Sequence, residues 1–337
     1  MKTKLTKQEK NWILYDVGNS AFTLLAATIL PIYFNYIAGK QGLSDVQYLA
    51  YWGYAVSIAT LLTALAGPVF GTVADTKGYK KPVFTIALGI GAIASVALGF
   101  AKYWLVFLIV FVIAKVGYSV TLVFYDSMLV DVTSEDRMDE VSSQGYAWGY
   151  IGSCVPFVIC LLVVLNAGKI GITMETAMMV SFVIITVWWV IMTLPLLKTY
   201  HQKYYVEKKQ HAFSESFERI GITLKNVKKE KKVFLFLLAF FFYIDGVYTI
   251  IDMATAYGSA LGLSSTGLLL ALLLTQIVAF PFAIIFGRLA KKYSAEKLIT
   301  VCIVAYLGVA IFAIFLHYQW QFWVLAVWVG MFQGGVQ

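Results

Sequence analysis

Asp245 and Asp252 stand seven residues apart in the stretch FFFYIDGVYTIIDMATAYG, from Phe240 to Gly258. Seven residues make two helical turns, so both carboxylates fall on a similar helix face. The local sequence supplies neither with a cation. Carboxylates in an apolar run bind a positive group, carry a proton or pair with a base on another element. Asp16, Lys115 and Asp126 share that setting, and Gln333 adds a neutral hydrogen-bonding group. Lys115 can hold a carboxylate or close an ion pair. The three histidines (His201, His211, His317) fall in connecting segments, and the three cysteines (Cys154, Cys160, Cys302) fall in apolar runs. Neither set has metal-ligand or disulfide spacing, so no metal and no cofactor is expected.

These groups must be positioned by membrane-spanning elements. Of the 337 residues, 60% are hydrophobic and 13% charged, where a soluble domain is about a quarter charged. Apolar runs of about 20 residues recur, each long enough for a ~30 Å hydrocarbon core. Continuous runs, without alternation, exclude a β-barrel. The pattern predicts an all-α polytopic membrane protein with the lipid bilayer as its solvent. The net charge of +8 does not point to nucleic acid, because the basic residues sit in short loops flanking the runs.

Ten spans are expected, at roughly 12–38, 46–73, 83–101, 104–130, 142–165, 172–197, 233–257, 264–287, 298–316 and 320–337. The first is too long, and with Asp16 and Asn19 too polar, for a cleaved signal peptide. With the N-terminus inside, 22 of the 26 Lys and Arg residues fall on the inner side. The positive-inside rule therefore predicts a cytoplasmic N-terminus in a bacterial inner membrane. Residues 198–232 form the one long connection, rich in lysine. Phe213, Phe217, Ile220, Leu224 and Val227 recur there at 4, 3, 4, 3 spacing. That spacing predicts an amphipathic helix at the membrane surface.

The chain echoes itself. LYDVGNSAF (14–22) faces YIDGVYTII (243–251), aligning Asp16 with Asp245, and FGTVADTKGYKK (70–81) faces FGRLAKKYSAEK (286–297). Internal repeats across a central linker are a feature of secondary transporters. Gly71-x-x-x-Asp75-x-x-Gly78-x-Lys80-Lys81 resembles the signature between spans 2 and 3 of the major facilitator superfamily. Here Gly71 is expected to allow close helix contact, Gly78 a tight turn and Asp75 a pairing with a helix end or cation. In the second copy Lys291 replaces the aspartate. WILYDVGNSAF, LVFYDSMLVDVT, SSQGYAWGYIGS and FFFYIDGVYTIIDMATAYGSALGLS are similar to the vacuole-effluxer (Atg-type) branch of that superfamily. The resemblance runs along essentially the whole chain.

That resemblance implies the major facilitator fold, two six-helix halves around a central cavity. The domains would be 1–197, a linker at 198–232 and an incomplete second bundle at 233–337. About ten of twelve helices are present, which suggests a fragment. It also implies that helices 1, 4, 7 and 10 line the cavity. Every intramembrane charge, and Gln333, lies on one of those four. At 1.5 Å per residue, Lys115 lies about 17 Å into its span and Asp245 about 20 Å into its own, both near the midplane. They are expected to face each other and hold a zwitterion, or to pair when it is absent. Asp245 is the leading candidate for solute or proton binding. Asp252 ranks second because it lies nearer the outer surface. Asn19, Tyr15, Tyr118, Tyr125, Tyr243, Tyr248 and Gln276 are candidate wall residues, with packing the alternative for any single tyrosine. Asp16 and Asp126 lie near the inner boundary as a candidate gate.

Three motifs are discounted. Gly145, Gly149 and Gly152 suit close helix packing. Asp136-x-x-Asp139 resembles metal-binding acids of prenyl-transferring enzymes, but Thr133 or Ser134 capping the next helix explains that loop better. GIGAIA (89–94) lies inside a span with no preceding strand. The expected function is a non-enzymatic secondary transporter, monomeric, moving a small polar or zwitterionic solute, with amino-acid efflux and H+ coupling as extensions. An intramembrane transferase and a non-transporting lipid-handling or receptor protein are the rivals.

Overall fold

The computed structural model describes residues 4–207, 226, 229–290 and 292–336. The expected amphipathic helix around Phe213–Leu224, and Lys291 of the second signature copy, lie outside the described residues. Helices run in the order α1 (Lys7–Ala27), α2 (Ile29–Lys40), α3 (Asp45–Asp75), α4 (Lys80–Ala97), α5 (Trp104–Val132), α6 (Met138–Leu165) and α7 (Met174–Thr199). They continue as α8 (Lys231–Ala260), α9 (Ser265–Leu289), α10 (Ala295–Ile314) and α11 (Gln319–Val336).

The helices α1 and α2 together form span 1. The break falls at Thr28, three residues before Pro31, whose ring clashes with the carbonyl four residues back, on Ala27. Among the described residues nine segments are long and apolar enough to cross a membrane, ending with Ala295–Ile314. The tenth expected span is the helix α11. Three glutamines and three tryptophans make it less apolar than the others.

One turn recurs on the face opposite the N-terminus, called here the far face. Gly42-Leu43-Ser44 and Gly262-Leu263-Ser264 each follow a helix, and both glycines have positive φ (81° and 75°). In each, the leucine N–H reaches back to a helix carbonyl (Ala38, Gly258), and the serine side chain caps the next helix. Gly171-Ile172-Thr173 repeats the device before α7. Only glycine takes that backbone without a Cβ penalty.

The largest core cluster draws on spans 1 to 6 together with Ala256 of α8 and Leu269 of α9, with Trp52, Trp189, Phe22, Phe34, Phe107, Phe111, Phe124, Phe157 and Phe182 almost fully enclosed. Smaller clusters join α8 to α11. A seam of small residues, Ala147 with Ala279 and Ala283, brings α6 against α9, and Tyr150 packs beside it. On its other side α6 meets α1 through the three glycines. A Cβ at Gly149 would lie 2.6 Å from Ser20 Oγ, and one at Gly152 2.5 Å from Val17 Cγ1. Gly149→Val is therefore expected to cost about 1–3 kcal/mol by overpacking, read as a lower melting temperature in detergent. An unchanged melting temperature would contradict this contact.

Candidate functional site

Lys115 of α5 donates to both oxygens of Asp252 on α8, each at 2.6 Å. The side chains are 15% and 12% exposed. The pairing corrects the expected one, which set Lys115 against Asp245. Helix α5 runs from the far face inward and α8 runs outward, and side chains lean toward their own helix N-terminus. Lys115 thus leans toward the far face while Asp252 leans away from it, and they meet. Asp245 lies seven residues, about 10 Å, nearer the N-terminal face. It is exposed and takes part in no ion pair among the described residues. Two further bonds tie the same half of α8 to the first spans. Trp52 Nε1 donates to the Asp252 carbonyl at 3.4 Å, and Asn35 Nδ2 donates to Ser259 Oγ at 3.1 Å.

A second polar group lies nearer the N-terminal face. Asp16 is 6% exposed and accepts from Asn19 Nδ2 at 3.1 Å. Tyr118 donates to Asn19 Oδ1 at 3.4 Å and shares a 2.6 Å bond with Thr23. Tyr15 donates to Thr121 at 2.7 Å. Three expected site residues, Asp16, Asn19 and Tyr118, are therefore joined in one chain of hydrogen bonds. Asp126 is exposed. Tyr248 is 46% exposed.

Gln333 and Gln276 stand apart from the charges. With Thr23 and Thr249 they line a cavity of about 240 Å³ whose other walls are mostly apolar, drawn from span 1 and from α8 to α11.

The signature loop is a packed device. Gly78 makes its turn with φ of 77°. Lys80, 2% exposed, donates to Asp131 Oδ2 at 3.1 Å and to the Ser127 carbonyl at 3.0 Å. Asp131 also accepts from Tyr200 at 2.5 Å and from the N–H groups of Lys203 and Tyr204 at 2.8 and 2.9 Å. The residues after α7 are thereby folded back onto the loop. Val206 N–H donates to the Asp75 carbonyl at 2.7 Å, and Lys77 pairs with Glu207 at 2.9 Å. Lys81 is exposed. The reading of Gly71 as a close helix contact is corrected: a Cβ there would meet nothing within 4 Å among the described residues.

Sequence reasoning missed Asp131. Its signal is the second acid of YDSMLVDVT, one residue before the end of α5. It also missed Glu9, which is 2% exposed. Glu9 closes a capping box with Thr6 and accepts from Thr133 at 2.7 Å and Arg137 at 3.1 Å. The spacing Thr6-x-x-Glu9 was the available clue. Among the described residues no group of three or more His, Cys, Asp or Glu could hold a metal. The free cysteines are all buried.

This arrangement has known relatives. The family model for vacuole effluxer Atg22-like proteins matches residues 5–337. An uncharacterized MFS-type transporter, YxiO of Bacillus subtilis (strain 168), is 42% identical over 342 residues, covering 100% of this chain and 80% of that protein. Autophagy-related protein 22 of Eremothecium gossypii is 23% identical over 347 residues, with 91% of this chain and 66% of that protein covered. The E. coli proton:xylose symporter XylE, bound to 6-bromo-6-deoxy-D-glucose, superposes with a TM-score of 0.67 at 13% identity, covering 98% of this chain and 80% of that one. The human organic anion transporter MFSD10 gives 0.62 at 12% identity, over 98% and 83%. At those identities the likeness shows the fold, an all-helical major facilitator architecture. The chain belongs to the Atg22-like family of major facilitator transporters.

Proposed function

We propose that the protein is a secondary active transporter that moves a small polar solute across a bacterial inner membrane by alternating access. Amino acids and other zwitterions are the first class to test, with efflux as the direction and H+ as the coupling ion. The N-terminal face, which carries the signature loop, is the cytoplasmic one, and the protein works as a monomer. The reading is supported above all by the Lys115–Asp252 pair. It joins the first six spans to the following ones at 2.6 Å, on the far half of the membrane. An opening of that half has to break it. With it closed, Asp16, Asp126 and Asp245 remain to be reached from the other side. The xylose protein of similar fold is a proton symporter, which fits acids on cavity helices as proton carriers.

The full chain reconstituted in proteoliposomes tests this. Counterflow of labelled amino acids across the preloaded bilayer is the expected result, increased by an imposed proton gradient. Absence of counterflow for all amino acids and short peptides, from protein that is folded and correctly inserted, would refute the amino-acid reading.

A further inference from the structure

The cavity of about 240 Å³ is separate from the Lys115–Asp252 pair, neither of whose residues lines it. Its wall on α8 includes Thr249, Ile250, Met253, Ala254 and Tyr257, a spacing of 1, 3, 1, 3 that marks one helix face. Span 1 closes one side, and α9, α10 and α11 supply the rest. Among the described residues no charged side chain lines it. The hydroxyls of Thr23, Thr28 and Thr275 in its wall are already bonded. The side-chain amides of Gln276 and Gln333 are not: neither is hydrogen-bonded to another described residue. Gln333 is 5% exposed, so its amide has the cavity and almost no outer solvent to turn to.

We infer that this cavity binds a compact uncharged molecule, an apolar body with a carboxamide-like end that both donates and accepts hydrogen bonds. A glutamine amide offers two N–H donors and a carbonyl acceptor, and a primary carboxamide matches it at both points. Gln276 lies 11 residues from the far-face start of α9 and Gln333 14 residues from that of α11. Those are depths of about 17 and 21 Å. Leu316 and Phe322, also in the wall, stand at the far-face ends of α10 and α11. The polar end of the ligand therefore sits toward the midplane and its apolar body toward the far face.

A buried amide left unpaired is costly, and a ligand that pairs with it relieves that cost. A charged ligand would lose its hydration there with no counter-charge to replace it. Size sets the other limit: a cavity of ~150 Å³ already admits a benzene ring, so a ring and one small polar group fit. The inference goes beyond the transport reading, because binding is measured without flux and either can fail alone.

The full chain in lipid nanodiscs is titrated by thermal shift with four probes that share one ring: benzamide, toluene, benzoate and benzylammonium. Benzamide is expected to bind about ten-fold more tightly than toluene, the effect of a net hydrogen bond. The two ions are expected not to raise the melting temperature. Gln333→Leu keeps the side-chain size and breaks no hydrogen bond, so the ligand-free melting temperature should hold while benzamide falls to the affinity of toluene. Ala254→Leu fills the cavity from α8 and is expected to remove the response to both. If Gln333→Leu fails to fold, Gln276→Leu replaces it, with the same loss of preference for benzamide expected. Benzamide bound no more tightly than toluene would reduce the cavity to a plain apolar void and overturn the inference. An ion bound as tightly as benzamide, a benzamide response that survives Ala254→Leu, or no response to any probe would overturn it as well.

Discussion

Replacing Asp131 by alanine is expected to destabilise the protein by about 3–5 kcal/mol, the cost of breaking one side of a buried ion pair. Asp131 is 1% exposed and Lys80 2%, so neither charge can fall back on bulk water. The substitution also strands the Tyr200 hydroxyl and the N–H groups of Lys203 and Tyr204. Lys80 keeps only the Ser127 carbonyl. The loss should appear as a lower melting temperature in detergent and as early proteolysis after Tyr200, where the chain is no longer held to the signature loop. Lys80→Met in the same background is expected to recover part of the loss, because it removes the uncompensated cation. A double variant as unstable as the sum of the singles would show that the pair is not coupled. Full stability of Asp131→Ala alone would remove the hub from the account.

The hub shows how far the sequence could be read. The apolar runs give nearly every span, because each residue in a bilayer helix satisfies its backbone within the segment. Loop lysines give the topology expectation for the same local reason. The partner of Lys115 was not available in this way. Two candidate aspartates on one face differ by two turns, and the choice between them depends on opposite side-chain tilts in antiparallel helices. Asp131 was invisible for a related reason: its partners lie 51 and 69 residues away, and nothing in YDSMLVDVT separates a buried hub from a solvated helix end. The break at Thr28 was readable from Pro31, but an uninterrupted apolar run concealed it. The repeated Gly-Leu-Ser turn was present in plain letters at 42–44 and 262–264, a stronger trace of the internal repeat than the aligned aspartates.

Asp252→Asn is expected to shift the protein toward the state open on the far face. Truncating one partner of a hydrogen-bonded, largely buried charge pair costs about 2–5 kcal/mol. That cost falls only on the state in which the pair is closed, so the ratio of closed to open forms should drop by roughly 30-fold or more. Spin labels at Lys169, on the far-face loop before α7, and at Thr266, in the first turn of α9 on the same face, would report it as a population at longer distance. Lys115→Gln should give the same shift, since either change empties the same bond. Net transport should fall at least ten-fold in both, because alternating access needs both states to be visited. The charge swap Lys115→Asp with Asp252→Lys is the decisive variant. If the pair acts as a latch, the swap restores the short label distance and part of the flux. If Lys115 instead binds solute directly, the swap restores the distance but not the flux. An unchanged label distance in Asp252→Asn would mean that the neighbouring Asn35–Ser259 and Trp52–Asp252 bonds close the far half by themselves, and the ion pair would lose its assigned role.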